Sequence, residues 1–417
     1  MHSTASSASH SPPSGKTALI LSGGGARAAY QIGVLQALQH LRKEAGERRH
    51  GCPFQIITGT SAGALNGMTL ACYADHYDLA LRKLIEVWRD FRSEQVYCAD
   101  SLGIMRTGAK WLAMFSVGWA LARWGRLQPR SLLDNSPTRD LLPQVFQFDR
   151  LPQLMAEGHI DAVAVTASSY TTGEHITFYQ SAHEITPWTR SQRRSMRDQI
   201  GLDHLMASSA IPFVFPAVKL PVHGRSHYFG DGSMRQAAPI SPAIHLGADR
   251  ILVIGVGRIH EQPVTPDHEA EYPPLAQIAG HALSSIFLDS LTVDIERMQR
   301  INQTLTLMTP EQRQHTSLRP IDVLVISPSQ RIDQIAARHL MALPPAVRTM
   351  LHAIGVSGQG QTARGAVLAS YLLFESCFTR ELIDLGFADT MAKREDVLAF
   401  FQWGREGVQS ASVLAPT

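Results

Sequence analysis

The sequence predicts an α/β fold: a mainly parallel central sheet sandwiched by helices, with a helical C-terminal extension packed on it. Three observations carry that expectation. Short apolar runs at 17–21 and 54–58 alternate with helical periodicities at 29–41 and 61–73, and such strands suit a parallel sheet covered on both faces. Two more apolar runs, 250–255 and 322–327, read as the last strands of that sheet. From 332 to 402 the pattern is mainly helical, with Val367, Tyr371, Phe374, Phe378 and Leu382 at core spacing.

Composition narrows the class. With 417 residues, 44% apolar and 18% charged, the chain reads as a soluble globular protein long enough for one large domain or two smaller ones. A net charge of +2 gives no reason to expect nucleic acid. Cys52, Cys72, Cys98 and Cys377 form no Cys-x-x-Cys, so neither a disulfide framework nor a zinc knuckle is indicated, and Cys72 reads as a small core residue. Residues 1–15, rich in Ser, Ala, His and Pro with no apolar core, read as a disordered leader and not a secretory signal. No uninterrupted apolar stretch approaches the ~20 residues that span a bilayer. Cytoplasmic residence is expected, and export without a cleaved signal stays open.

In chain order, Thr17–Leu21 is the first strand and runs into Ser22-Gly23-Gly24-Gly25-Ala26-Arg27-Ala28. The helix after it presents Ile32, Leu35, Leu38 and Leu41 on one face. Residues 42–51 read as a surface loop, 54–58 as the second strand and 61–73 as the next helix. A helical insertion of about 79–147 follows, beginning with Leu81, Leu84, Ile85 and Trp88 at helical spacing. Within it, 101–130 carries tryptophans at 111, 119 and 124, five basic residues and no acidic one. It reads either as a buried helix over the sheet or as a lid whose aromatic face meets lipid while its basic ends meet anionic headgroups. A helix from 135 or 136 to 146 has Pro137 in its first turn. Strands are expected at 161–166 and 174–179, then a helix over 190–200 placing Arg190, Arg193, Arg194 and Arg197 on a solvated side. Residues 275–307 are strongly helical. The domains expected are the leader 1–15, a catalytic domain 16–330 and the helical extension 331–417.

The chemistry centres on Gly59-Thr60-Ser61-Ala62-Gly63. A β-branched run enters it and a small-residue helix leaves it, the order a nucleophile elbow needs. The serine sits at a strained strand-to-helix turn whose flanks must be glycine, and the helix N-terminus points its amides toward developing negative charge. Ser61 is therefore the nucleophile candidate. Gly23, Gly24 and Gly25 are candidates for an oxyanion hole, since amides without side chains can approach a substrate oxygen. Arg27 beside them would hold the loop or attract an anionic headgroup. A dinucleotide site is disfavoured, because Ala28 stands where a third glycine belongs and no carboxylate follows the second strand. The base is not derivable from the residues: among 18 histidines, His204 and His245 read as surface or packing residues.

Three glycines after a strand, Gly-x-Ser-x-Gly, the segment Ala207–Pro216 and the later turn Asp231-Gly232-Ser233 together resemble the patatin-like phospholipase family. The resemblance covers roughly 16–258, with a last strand near 321–327. It implies a Ser–Asp dyad, with Asp231 as the base for Ser61, and a serine lipid acyl hydrolase of the phospholipase A or lysophospholipase type. An aspartate of ordinary pKa, about 3.9, is a weak base for a serine, so the role needs burial to raise it. Two departures stand out: Ala28 replaces a usual glycine, and Ser233 replaces a usual glycine or alanine. The resemblance implies no cofactor and no obligatory calcium or other metal, since the lipid-binding β-sandwich of calcium-dependent relatives is missing from the pattern. Its implied partner is a phospholipid or lysophospholipid, with peripheral membrane contact through 101–130. A carboxylesterase or thioesterase on soluble acyl substrates, and a non-catalytic lipid-binding protein, remain as alternatives.

Overall fold

The computed structural model describes residues 15–47, 50–98, 131–258, 272–358 and 364–404. The leader up to residue 14 and the basic, aromatic stretch 101–130 lie outside them. The sheet is built from β1 (Lys16–Leu21), β2 (Ile56–Thr60), β3 (Ala162–Ser169), β4 (His175–Ser181), β5 (Thr189–Arg190), β6 (Arg193–Arg197), β7 (Val218–Val222), β8 (Arg225–Asp231), β9 (Ala248–Ile254) and β10 (Asp322–Ile326). Its order is β10-β9-β1-β2-β3-β4-β6-β5, with the β7–β8 hairpin joined to β3. The run from β10 to β3 is parallel, whereas β3–β4, β3–β8 and β7–β8 are antiparallel.

Central strands are apolar on both sides because both faces are covered. Leu19, Leu21 and Ile57 face a large helical layer, and Ala18, Ile20 and Ile56 face the opposite one. On the first side pack α1 (Ala29–Glu44), α2 (Ala62–Cys72) and α3 (Tyr77–Arg89), with α4 (Ser136–Val145) and α5 (Leu202–Ser208) beyond. α6 (Leu275–Ser284) and α7 (Ser290–Leu307) form one helical run, joined through a π-helical stretch at Ser285–Asp289. The C-terminal part includes α8 (Ala366–Leu372) and α9 (Ser376–Ala392).

α9 packs against α1 with backbone close to backbone at two glycines. A methyl group on Gly33 would fall 1.8 Å from the Ile383 carbonyl oxygen, and one on Gly386 would fall 2.2 Å from that of Tyr30. Tyr371, Phe374, Phe378 and Leu382 are buried as their spacing predicts and Val367 is half-buried, but they lie on two helices and, for Phe374, the link between them.

Three expectations need correction. Arg190, Arg193, Arg194 and Arg197 lie on β5 and β6, a small hairpin, and not on a helix. Alternation decides this: Ser195 is buried between exposed or half-buried neighbours and bonds Trp188, and arginines at the sheet rim suit an edge. The second strand begins two residues later than expected and includes Gly59 and Thr60. Finally, Leu275–Leu307 is a described helix long and apolar enough, by length and composition, to cross a membrane, although no such stretch was expected. Its charged residues interrupt the run in the sequence, yet Leu291, Ile295 and Met298 pack it onto the sheet.

Candidate active site

Strand β3 is the template on which the site is assembled. Thr60, the last residue of β2, pairs with Thr166, and Asp231, the last residue of β8, pairs with Ala167. Thus β2 and β8 both end at adjacent rungs of β3, which brings Ser61, the residue after β2, beside Asp231 although 170 positions separate them in the chain. Ser61 turns the chain into α2 with φ 53° and ψ −131°, a strained conformation for a residue with a side chain. Close contact explains the flanking glycines: a methyl on Gly63 would meet the Leu21 carbonyl oxygen at 2.3 Å, and one on Gly59 the Ala64 Cα at 2.5 Å. Ala62 opens α2 and lines the cavity beside Ser61. Gly232 likewise has no room for a methyl, which would lie 1.9 Å from the Thr166 carbonyl oxygen.

Ser208, at the end of α5, locks the turn. Its hydroxyl accepts from the Ser61 amide at 2.9 Å and donates to the Thr166 carbonyl at 2.6 Å. The Ser61 amide is therefore occupied, and oxyanion binding falls to other donors. Gly24 and Gly25 qualify, because their amides have no acceptor among the described residues. Gly25 has φ +56° and lines the same cavity as Ser61, whereas Gly23 packs against Ser61 Cβ and Ser233.

A buried relay holds this loop. Trp88 Nε1 donates to Asn66 Oδ1 at 2.8 Å, Asn66 Nδ2 donates to Gln31 Oε1 at 2.9 Å, and Gln31 Nε2 donates to the Ser22 carbonyl at 2.8 Å. The chain of bonds orients the peptide that enters Gly23. Arg27 serves the loop from the other side: Nε bonds Ser370 Oγ at 2.7 Å and the guanidinium stacks on Tyr371 at 4.2 Å. Its guanidinium is thus engaged by α8, a loop-holding position and not that of an oxyanion donor.

Asp231 is completely buried, and desolvation pushes its carboxyl up to about 6 against the opposing influence of Ser61 and of the Ser233 amide and hydroxyl. Oδ1 accepts the Ser233 amide at 2.8 Å. Oδ2 has no hydrogen-bond partner, so the Ser61 hydroxyl beside the carboxyl lowers its pKa without forming a bond of ordinary geometry. The buried imidazole near this turn is His175, behind Gly232: its Nε2 donates to the Gly232 carbonyl at 2.8 Å, and desolvation lowers its pKa to about 4, so it is neutral. His204 packs on Phe178 and His245 stacks on Trp188, as structural residues do.

From Ser61 an apolar cavity of about 80 Å³ extends between α2, α3 and α4, walled by Leu65, Leu84, Trp88, Leu142, Phe146 and Phe215 among others. Among the described residues no group of three or more His, Cys, Asp or Glu side chains is gathered to hold a metal ion. A serine on a strained turn, a carboxyl of raised pKa, free glycine amides and an apolar cavity together suit acyl transfer from a lipid.

Comparison with known proteins agrees with that chemistry. The family model of the patatin-like phospholipases matches residues 19–244. The chain belongs to the patatin-like phospholipase family. Membership in this patatin-like group brings with it a lipid substrate and hydrolase chemistry in general terms. Similar solved structures include VipD from Legionella pneumophila, at 14% identity and TM-score 0.30, covering 89% of this chain and 67% of that one. Another is the type III effector protein ExoU, at 17% identity and TM-score 0.24, covering 59% of this chain and 44% of that one. No curated protein matches.

Ser208, Gln31, Asn66, Trp88 and His175 were not singled out in the sequence as site residues. Each acts through a bond to a distant backbone group, and no local pattern encodes such a bond. Ser208 alone carried a signal, its place in the small-residue run before Pro212.

Proposed function

We propose that this protein hydrolyses acyl esters of phospholipids or lysophospholipids through an acyl-Ser61 intermediate, with Asp231 as general base. The observation that carries the reading is the shared template of β3, where adjacent rungs hold the ends of the strands bearing Ser61 and Asp231. In the first step Asp231 takes the Ser61 proton while Oγ forms a bond to the acyl carbon. The carbonyl oxygen becomes an oxyanion facing the Gly24 and Gly25 amides. Collapse breaks the bond to the alcohol oxygen, which takes the proton from Asp231 and leaves as the lysolipid or glycerol headgroup. Water then attacks the acyl-serine by the reverse sequence and releases the fatty acid. The apolar walls of the cavity suit the hydrocarbon of an acyl chain. Contact with the membrane surface is assigned to 101–130, whose basic residues would each gain about 1 kcal/mol near anionic lipid.

The test combines a fluorophosphonate probe with mixed phospholipid vesicles and short-chain nitrophenyl esters. Labelling at Ser61, fatty acid release from vesicles, and loss of both in Ser61→Ala are expected. Turnover of the soluble esters without release from vesicles would indicate a soluble-acyl esterase, and vesicle binding without labelling a non-catalytic lipid binder.

A further inference from the structure

Ser233 follows Gly232 on the Asp231 turn, and its buried hydroxyl lies near the Asp231 carboxyl without forming a hydrogen bond of ordinary geometry. A methyl on Gly23 would lie 2.4 Å from Ser233 Oγ and 3.0 Å from Ser61 Cβ, so the hydroxyl fronts the same small space as the nucleophile. Asp231 Oδ2, two residues away on the same turn, is a second polar atom there without a hydrogen bond of ordinary geometry. Leaving a buried polar atom unpaired costs about 1–3 kcal/mol, and two such atoms converging on one serine imply a polar guest. The acyl chain is apolar, and the carbonyl oxygen has the Gly24 and Gly25 amides. Water is the remaining reactant.

We propose that Ser233 is a third catalytic residue, which holds the water that hydrolyses the acyl-enzyme. This rests on the acyl-Ser61 reading above. One hydrogen of the water goes to Asp231 Oδ2 and the other is accepted by Ser233 Oγ, which leaves an oxygen lone pair for the acyl carbon. As the C–O bond to water forms, Asp231 takes the first proton and the carbonyl oxygen becomes the oxyanion. On collapse the acyl carbon–Ser61 Oγ bond breaks, Oγ takes the proton from Asp231, and the acid departs. Ser233 neither gains nor loses a proton. Ser61 needs no help from it in acylation, because its hydroxyl already stands beside the carboxyl.

The two half-reactions can be read separately in Ser233→Ala, a substitution that removes the hydroxyl and keeps the amide that bonds Asp231 Oδ1. Rapid mixing with a nitrophenyl ester gives the acylation rate, and quenched intact-mass measurement follows the decay of acyl-Ser61. Acylation within about twofold of wild type, with decay slowed about tenfold and acyl-Ser61 accumulating, is the expected result. Added hydroxylamine, which does not depend on the Ser233 station, should then clear the intermediate at a rate close to wild type. Equal slowing of both phases, or of neither, would overturn the role of Ser233 while leaving the dyad intact. Wild-type protein that never forms acyl-Ser61 would overturn both, and so separates failure of the mechanism from failure of this residue.

Discussion

At the scale of single residues, Asp231 and His175 titrate in opposite senses across the Asp231–Gly232 turn. Desolvation raises Asp231 to about 6, so as a base it is competent only above that pH. The kcat/KM of a soluble ester should therefore fall on an acid limb centred near 6. Asp231→Asn should remove at least about 10²-fold of the rate, within the range general-base catalysis supplies. The same shift is a stability term. The folded carboxyl binds its proton more tightly than the unfolded one, so this stability is fully present below about 3.8 and is lost as pH rises through about 6. Asp231→Asn should accordingly unfold at higher urea than wild type at pH 8, by about 2–3 kcal/mol, with the gap closing toward pH 4. A gap that stays constant with pH would show that Asp231 is not the strained ion inferred here. His175 has the opposite sign: its pKa is depressed to about 4, so its contribution is present above 6.5 and lost as pH falls through about 4. In wild type the two trends offset between about 4 and 6. Asp231→Asn should expose the His175 loss as a steeper acid destabilisation.

At the scale of elements, the elbow and its glycine loop are held by side chains that arrive from elsewhere. Trp88→Phe keeps the ring on the cavity wall but deletes the N–H, leaving Asn66 Oδ1 buried without its donor. The expected cost is about 1–3 kcal/mol in urea unfolding, with kcat falling more than KM rises as the Ser22–Gly23 peptide loses its fixed orientation. Unchanged kcat would mean that the relay is packing alone. This contrast also explains what could be read in advance. The strand–loop–helix sequence around Gly23–Gly25 and Gly59–Gly63 was legible because glycine spacing and β-branched runs are local signals. The relay was illegible because Gln31, Asn66 and Trp88 each look like ordinary helix residues until their helices pack. The arginines at 190–197 misled for a related reason. Charge spacing over so short a span fits one side of a helix and the rim of a strand alike, and the buried Ser195 between them is the deciding residue.

At the scale of the whole molecule, the family match ends at residue 244, yet the structure does not. β9 and β10 extend the sheet beside β1, and α8, α9 and the link between them supply Tyr371, Phe374, Phe378 and Leu382 to the main core. The C-terminal part also reaches the site, since Arg27 bonds Ser370 and a methyl on Gly25 would strike the Tyr371 carbonyl oxygen at 2.3 Å. A chain cut at 330 would bare the apolar side of α1 and unpin the glycine loop together. It should be recovered insoluble, or soluble with loose packing and no Ser61 labelling. Because truncation is a blunt change, the sharper test is Gly386→Ala in the full chain. Its methyl would lie 2.2 Å from the Tyr30 carbonyl oxygen, so α9 must move off α1. Overpacking of this kind costs about 1–3 kcal/mol. Since α1 continues directly from the Gly23–Ala28 loop, the displacement should lower the acylation rate of the folded protein as well as its unfolding midpoint. A variant that loses stability but acylates Ser61 at the wild-type rate would show that the C-terminal helices support the fold without setting the site.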